Sequence, residues 1–222
     1  MTYKMEVDEV SQNVFHVKMN STKFLCKTFM RFQEHYESPY PQIRNKIFTR
    51  KEYAKIYQED RKADTFTYYT DWSGFNIPSY VLNPFYAGKF DPLLKCEEKL
   101  LDTFRPYQHK KFYVIGTDKN IKFYTMLHEL SHAYWYTAKG YKKKQREVLN
   151  TIPERNRKRI NKHLAHLGYC KEVWEDETCA YALTNVDYLD KFKISKKVVN
   201  ALRENFNVIS LYKMAPMMHG KS

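Results

Sequence analysis

His128-Glu129-Leu130-Ser131-His132 is the segment of this chain whose residue types and spacing can do chemistry. Residues i and i+4 of a helix share one face, so His128 and His132 project side by side. Two imidazoles placed in this way can each give one ring nitrogen to a single tetrahedral Zn²⁺. Glu129, beside the first of them, reaches water held at the metal's open position and takes its proton. A chain of this composition holds H-E-x-x-H by chance about 0.02 times, so the pattern is a signal.

A catalytic zinc takes a third protein ligand. The long pattern H-E-x-x-H-x-x-G-x-x-H is broken here, with Trp135 at the glycine and Ala138 at the last histidine. The downstream candidates are the acids of Trp174-Glu175-Asp176-Glu177-Thr178-Cys179-Ala180-Tyr181, with His163 and His166 as a lesser alternative. Glu175 and Glu177 lie about 200° apart round a helix and so cannot share a face.

HELSH followed by Glu177-Thr178-Cys179-Ala180-Tyr181 resembles the gluzincins, the thermolysin-like zinc peptidases in which a second helix brings a Glu ligand. The match covers about residues 108–190. It implies a zincin-like α+β fold: a small twisted sheet packed on the HExxH helix, with an acid-bearing helix downstream. It also implies a Zn²⁺ held by His128, His132 and Glu177, Glu129 as the base, and a protein or peptide substrate. Ala180, three residues after Glu177, is small enough to let two helices approach. Glu175 and Asp176 are then expected to be exposed or to stand behind the ligands. The family's residue four places after the Glu is an Asp that orients a ligating His. Here it is Tyr181, which leaves that role unassigned. Tyr181 becomes a candidate donor to an oxyanion, alongside Tyr134, Tyr136 and Tyr169. The ending D-E-x-x-x-Y, Asp176 to Tyr181, also looks like that of small phage-type HExxH proteins. In zincins an edge strand pairs with extended substrate, and Lys111–Thr117 is the expected strand. An interior strand is its equal alternative.

Several elements must position these groups. Thr22–Glu37 has helical apolar spacing. Thr49 with Glu52 forms a capping box for a short helix. Residues 65–91 read as an aromatic structured loop or hairpin that packs the core or lines the cleft. Asp91-Pro92 opens a helix through Phe104, with Pro at its first position. Asp118 or Asn120 caps the HExxH helix, and Gly140 ends it. A basic hairpin broken at Pro153 follows, then helices from about 173 to 188 and from 196 to 206. Residues 1–21 read as a frayed arm or an edge strand. Two regions are expected within one compact domain: 1–107, an α+β part carrying the aromatic loop, and 108–222, the metal-binding core.

The 222 residues include 38 Lys and Arg against 25 Asp and Glu, a net charge of +13. Ten of those cations and only two acids fall between Lys139 and His163. Such a block suits a polyanion, so nucleic acid is a candidate partner. It also suits a solvated helical face. The rival to a peptidase is therefore a nucleic-acid-binding protein with a structural zincin core, and a protease acting on DNA-bound proteins joins the two. Cysteines at 26, 96, 170 and 179 are too far apart for a C-x-x-C motif and read as reduced thiols. With no signal-like N-terminus, and Pro and Gly interrupting its longest uncharged stretch, the chain is expected to be soluble and cytoplasmic, without membrane contact.

Overall fold

A computed structural model describes residues 4–72, 74–118 and 121–219. Its first element settles the ambiguous N-terminus. Met5–Ser11 (β1) and Val14–Met19 (β2) are strands joined by Gln12-Asn13, and Asn13 takes the left-handed conformation (φ 61°) that its side chain tolerates.

Ser21 then caps α1 (Thr22–Glu37), its hydroxyl accepting the Phe24 N–H. This helix turns Leu25, Phe29, Met30 and Phe32 into the core. The Thr49–Glu52 capping box forms as the sequence suggests and opens α2 (Arg50–Arg61). The aromatic segment becomes α3 (Tyr68–Asp71), β3 (Gly74–Pro78), a 3₁₀ turn at Ser79–Leu82 and α4 (Asn83–Tyr86). Tyr68, Phe75, Phe85 and Phe90 are buried, so these rings are core.

The next helix, α5 (Lys95–Phe104), starts later than Pro92 would have it. Its start is fixed instead by Glu97, whose Oε2 accepts the Leu94 N–H at 2.7 Å. The same buried carboxylate accepts Arg31 Nε at 2.8 Å.

Strand β4 (Tyr113–Asp118) precedes α6 (Phe123–Thr137), the HExxH helix. Asp118 does not cap that helix: it ends β4, and its carboxylate accepts the Thr22 hydroxyl at 3.2 Å. Asn120, the other expected cap, lies outside the described residues. The basic hairpin is α7 (Tyr141–Leu149) and α8 (Glu154–His166). The helix expected over 173–188 divides at Asn185 into α9 (Trp174–Thr184) and α10 (Val186–Lys191). The last helix, α11, runs from Lys196 to His219, beyond the expected end at 206.

The chain is thus α+β, with a four-stranded sheet in the order β1-β2-β4-β3. β3 pairs antiparallel with β4, Gly74 opposite Thr117 and Pro78 opposite Tyr113. This corrects the expectation of a substrate-pairing edge strand at Lys111–Thr117. Both edges of β4 are already hydrogen-bonded to neighbours, so it cannot be augmented.

Contacts divide the chain into two compact units: 1–8 with 15–121, and 9–14 with 122–222. The first has a core built on Val17, Leu25, Phe29, Phe32, Phe75, Leu100 and Val114. The second is built on Leu149, Ile160, Leu164, Cys179, Ala182 and Leu202. All four cysteines are free thiols. Among the described residues no helix is long and apolar enough to cross a membrane.

Candidate metal centre

Two helices of the second unit, α6 and α9, build the centre. Small side chains bring them together: Ala133 on α6 and Ala180 on α9 are fully buried. α9 has no polar face in the usual sense, because Asp176, Glu177, Thr178, Cys179, Ala180 and Ala182 are all buried. Its Thr178 and Thr184 hydroxyls donate back to Trp174 O and Ala180 O, which lets polar residues lie inside. Its three acids stand in the first turn, where the positive end of the helix dipole favours carboxylates.

His128, His132 and Glu177 come together, with one ligating atom of each lying within 4.8 Å of the others. His128 Nε2 is 3.5 Å from Glu177 Oε2, and His132 Nε2 is 3.5 Å from Glu177 Oε1. Bonds of 2.0–2.1 Å to a tetrahedral ion would separate neighbouring donors by about 3.4 Å, so both gaps have metal-site dimensions. Glu177 Oε2 is buried and, among the described residues, accepts no hydrogen bond. A buried carboxylate oxygen without a donor is costly, and a cation is what satisfies it. The donor set of two imidazoles and one carboxylate therefore fits a metal ion.

Asp176 supplies what the sequence left unassigned. Its Oδ2 lies 3.0 Å from His132 Nδ1, and the residue is 7% exposed. Held from the Nδ1 side, His132 has its Nε2 turned to Glu177. Burial opposes a charge on this ring, but Asp176 and Glu177, with help from Glu129, outweigh it and hold its pKa well above the ordinary imidazole value. Only the adjacency of Asp176 to Glu177 hinted at this role. The two are about 100° apart round α9, and an imidazole edge-on between the helices meets both.

The remaining candidates are placed as follows. Glu129 is buried on α6 between the two histidines in sequence. Tyr181 sets its ring edge-on to His128, centroids 5.1 Å apart, and its hydroxyl is 3.3 Å from that of Tyr169. Burial, together with the Glu177 and Glu129 charges, raises the Tyr181 pKa even though Tyr169 works the other way, so the phenol keeps its proton. Tyr134 lies in the core, its hydroxyl 3.3 Å from Ser11 Oγ and 3.4 Å from Ser210 Oγ. Glu175 is turned outward and pairs with Arg146 Nε at 2.7 Å. His163 packs on Phe192 at 5.4 Å, and neither it nor His166 joins the metal-ligating group.

Fold and site together define an α+β chain with a His/His/Glu group, two of its members buried and His128 half-buried, able to hold a metal ion. No protein-family model, no curated protein and no solved structure matches it.

Proposed function

We propose that this chain is a zinc-dependent metallopeptidase of zincin type. The observation that carries the reading is the convergence of two Nε2 atoms, from one helix, on one buried carboxylate whose Oε2 has no hydrogen-bond donor among the described residues. Two imidazoles and a carboxylate are the donors of catalytic zinc sites that keep one position open. Zinc bound there would polarise a carbonyl and lower the pKa of water to about 7.

The chain's own residues supply the rest. His128, His132 and Glu177 hold the ion, and Asp176 fixes the ring and tautomer of His132. Glu129 takes a proton on its carboxylate from the attacking water and returns it to the leaving amine. Tyr181, protonated and beside His128, is the group placed to donate its O–H to the oxygen that gains charge in the transition state.

The test couples metal content to hydrolysis of a peptide library. Wild type is expected to retain one zinc per chain through dialysis and to cleave. Glu129→Gln should keep the metal and lose cleavage, while His128→Ala and Glu177→Gln should lose both. Glu175→Gln, at an exposed ion pair, should lose neither. Zinc retained in the Glu177→Gln chain, or cleavage by Glu129→Gln, would overturn the proposal.

A further inference from the structure

The basic block is not uniform once folded. On α7, Lys142, Lys143 and Lys144 are consecutive, so they fan round the helix at about 100° intervals and form no row. Lys142 also lies over the Trp135 ring, 5.2 Å from its centroid. On α8 half-buried Arg157 turns away to donate to Asn150 Oδ1 at 3.2 Å, while the other four of the five Lys and Arg residues, Arg155, Lys158, Arg159 and Lys162, are exposed, with exposed His166 continuing the series. Their spacing of i, i+3, i+4, i+7 and i+11 makes a single stripe about 16 Å long. The opposite face carries Ile160 and Leu164, which are buried in the second core.

A second segment thickens the stripe. Arg159 donates to Lys191 O at 3.4 Å, and Asn156 donates to Lys193 O at 3.1 Å. The exposed Lys191 and Lys193 therefore stand beside α8. Phe192 between them is buried, with the Arg159 guanidinium 6.0 Å and the Lys191 ammonium 5.8 Å from its ring centroid. Glu154 pairs with Lys158 at 2.8 Å, an exposed contact that a phosphate can displace.

We propose that α8, with the Lys191–Lys193 turn, is a nucleic-acid-binding face that reads the phosphate backbone rather than sequence. A straight row of cations on a helix 10–12 Å wide matches a groove about 12 Å wide and flanked by phosphates. An anionic membrane fits less well, because an interfacial helix needs an exposed apolar face and α8 has buried its own. The proposal stands on this stripe alone and does not depend on the metal centre.

Fluorescence anisotropy of the full chain, with a labelled duplex of arbitrary sequence, tests it across about 50–200 mM salt. The variant Arg155→Gln/Lys158→Gln/Arg159→Gln/Lys162→Gln removes the stripe. Lys142→Gln/Lys143→Gln/Lys144→Gln removes a comparable charge from α7. Retained helical circular dichroism confirms folding of both. Wild type should bind, and the α8 variant should bind at least about tenfold more weakly, with a log–log salt slope shallower by about 3. The α7 variant should stay close to wild type. No wild-type binding at the lowest salt, equal losses in both variants, or binding to phosphatidylserine vesicles but not to the duplex would each overturn the proposal.

Discussion

At the scale of single residues, the pair Asp176–Glu177 divides two tasks that need different geometry. Glu177 faces both imidazoles, while Asp176 takes the far nitrogen of one of them. Without metal, His132 holds a proton between these carboxylates at neutral pH, because its pKa is raised. A ligand must be deprotonated, so zinc binding at pH 7 should release about one proton from this ring. Calorimetry in buffers of differing ionisation enthalpy measures that number. Asp176→Asn should lower zinc affinity by about 10- to 100-fold and reduce the proton released, because a neutral amide neither fixes the ring as firmly nor holds its charge. Unchanged affinity would show that Glu177 alone orients His132. The HExxH face was legible in the sequence because one helix carries it, and i, i+4 geometry follows from backbone alone. The orienting role of Asp176 was not legible, because it depends on how two helices sit across a single ring.

At the scale of elements, local signals placed the helix start that local atoms control, at Thr49 with Glu52, and apolar spacing alone placed the start of α1, whose Ser21 cap emerges only in the structure. They misplaced the starts set by distant partners. Glu97 begins α5 while held by Arg31, and Asp118 is drawn to Thr22 rather than to the next helix. The sheet order was also hidden, since strand pairing is a long-range choice that no single segment carries. One consequence of that order is testable. β2 and β4 bring His16 Nε2 to 2.7 Å from Thr117 Oγ1, while Thr117 itself donates to Asp118 O. The hydroxyl is therefore the acceptor, and the neutral ring carries its proton on Nε2. Burial, with Lys18 nearby, lowers this imidazole's pKa to about 4. The unfolded chain binds the proton near pH 6.5, so stability is full above that value and falls as pH drops toward 4. The loss should be at most about 3 kcal/mol. His16→Gln keeps a donor to Thr117 and should flatten the dependence of urea midpoint on pH over this interval. A slope equal to wild type would assign the acid sensitivity to other groups.

At the scale of the whole molecule, the candidate metal centre belongs to one unit with its own core, and most of the sheet and the aromatic cluster belong to another. The proposed ligands come from α6 and α9, both in the second unit, so zinc bound there should stabilise that unit by mass action, by about 2.7 kcal/mol when free zinc is 100 times Kd. Removing the metal leaves the buried Glu177 Oε2 without a donor among the described residues, and Asp176 and Glu177 both against His132, whose proton then offsets their repulsion. As pH rises through the raised pKa of His132, that proton is lost, and the stability it contributed below the ordinary imidazole value goes with it. The metal-free second unit should therefore weaken on the alkaline side, opposite in sign to the His16 effect in the first. Hydrogen exchange with zinc and with chelator, at two pH values, resolves both. Chelation should speed exchange of α6 and α9 amides, more so at the higher pH, and leave β4 and α1 amides at their zinc-bound rates. Equal loss of protection in α1 and β4 would mean that the two cores open as one cooperative unit, and that the metal centre supports the entire fold.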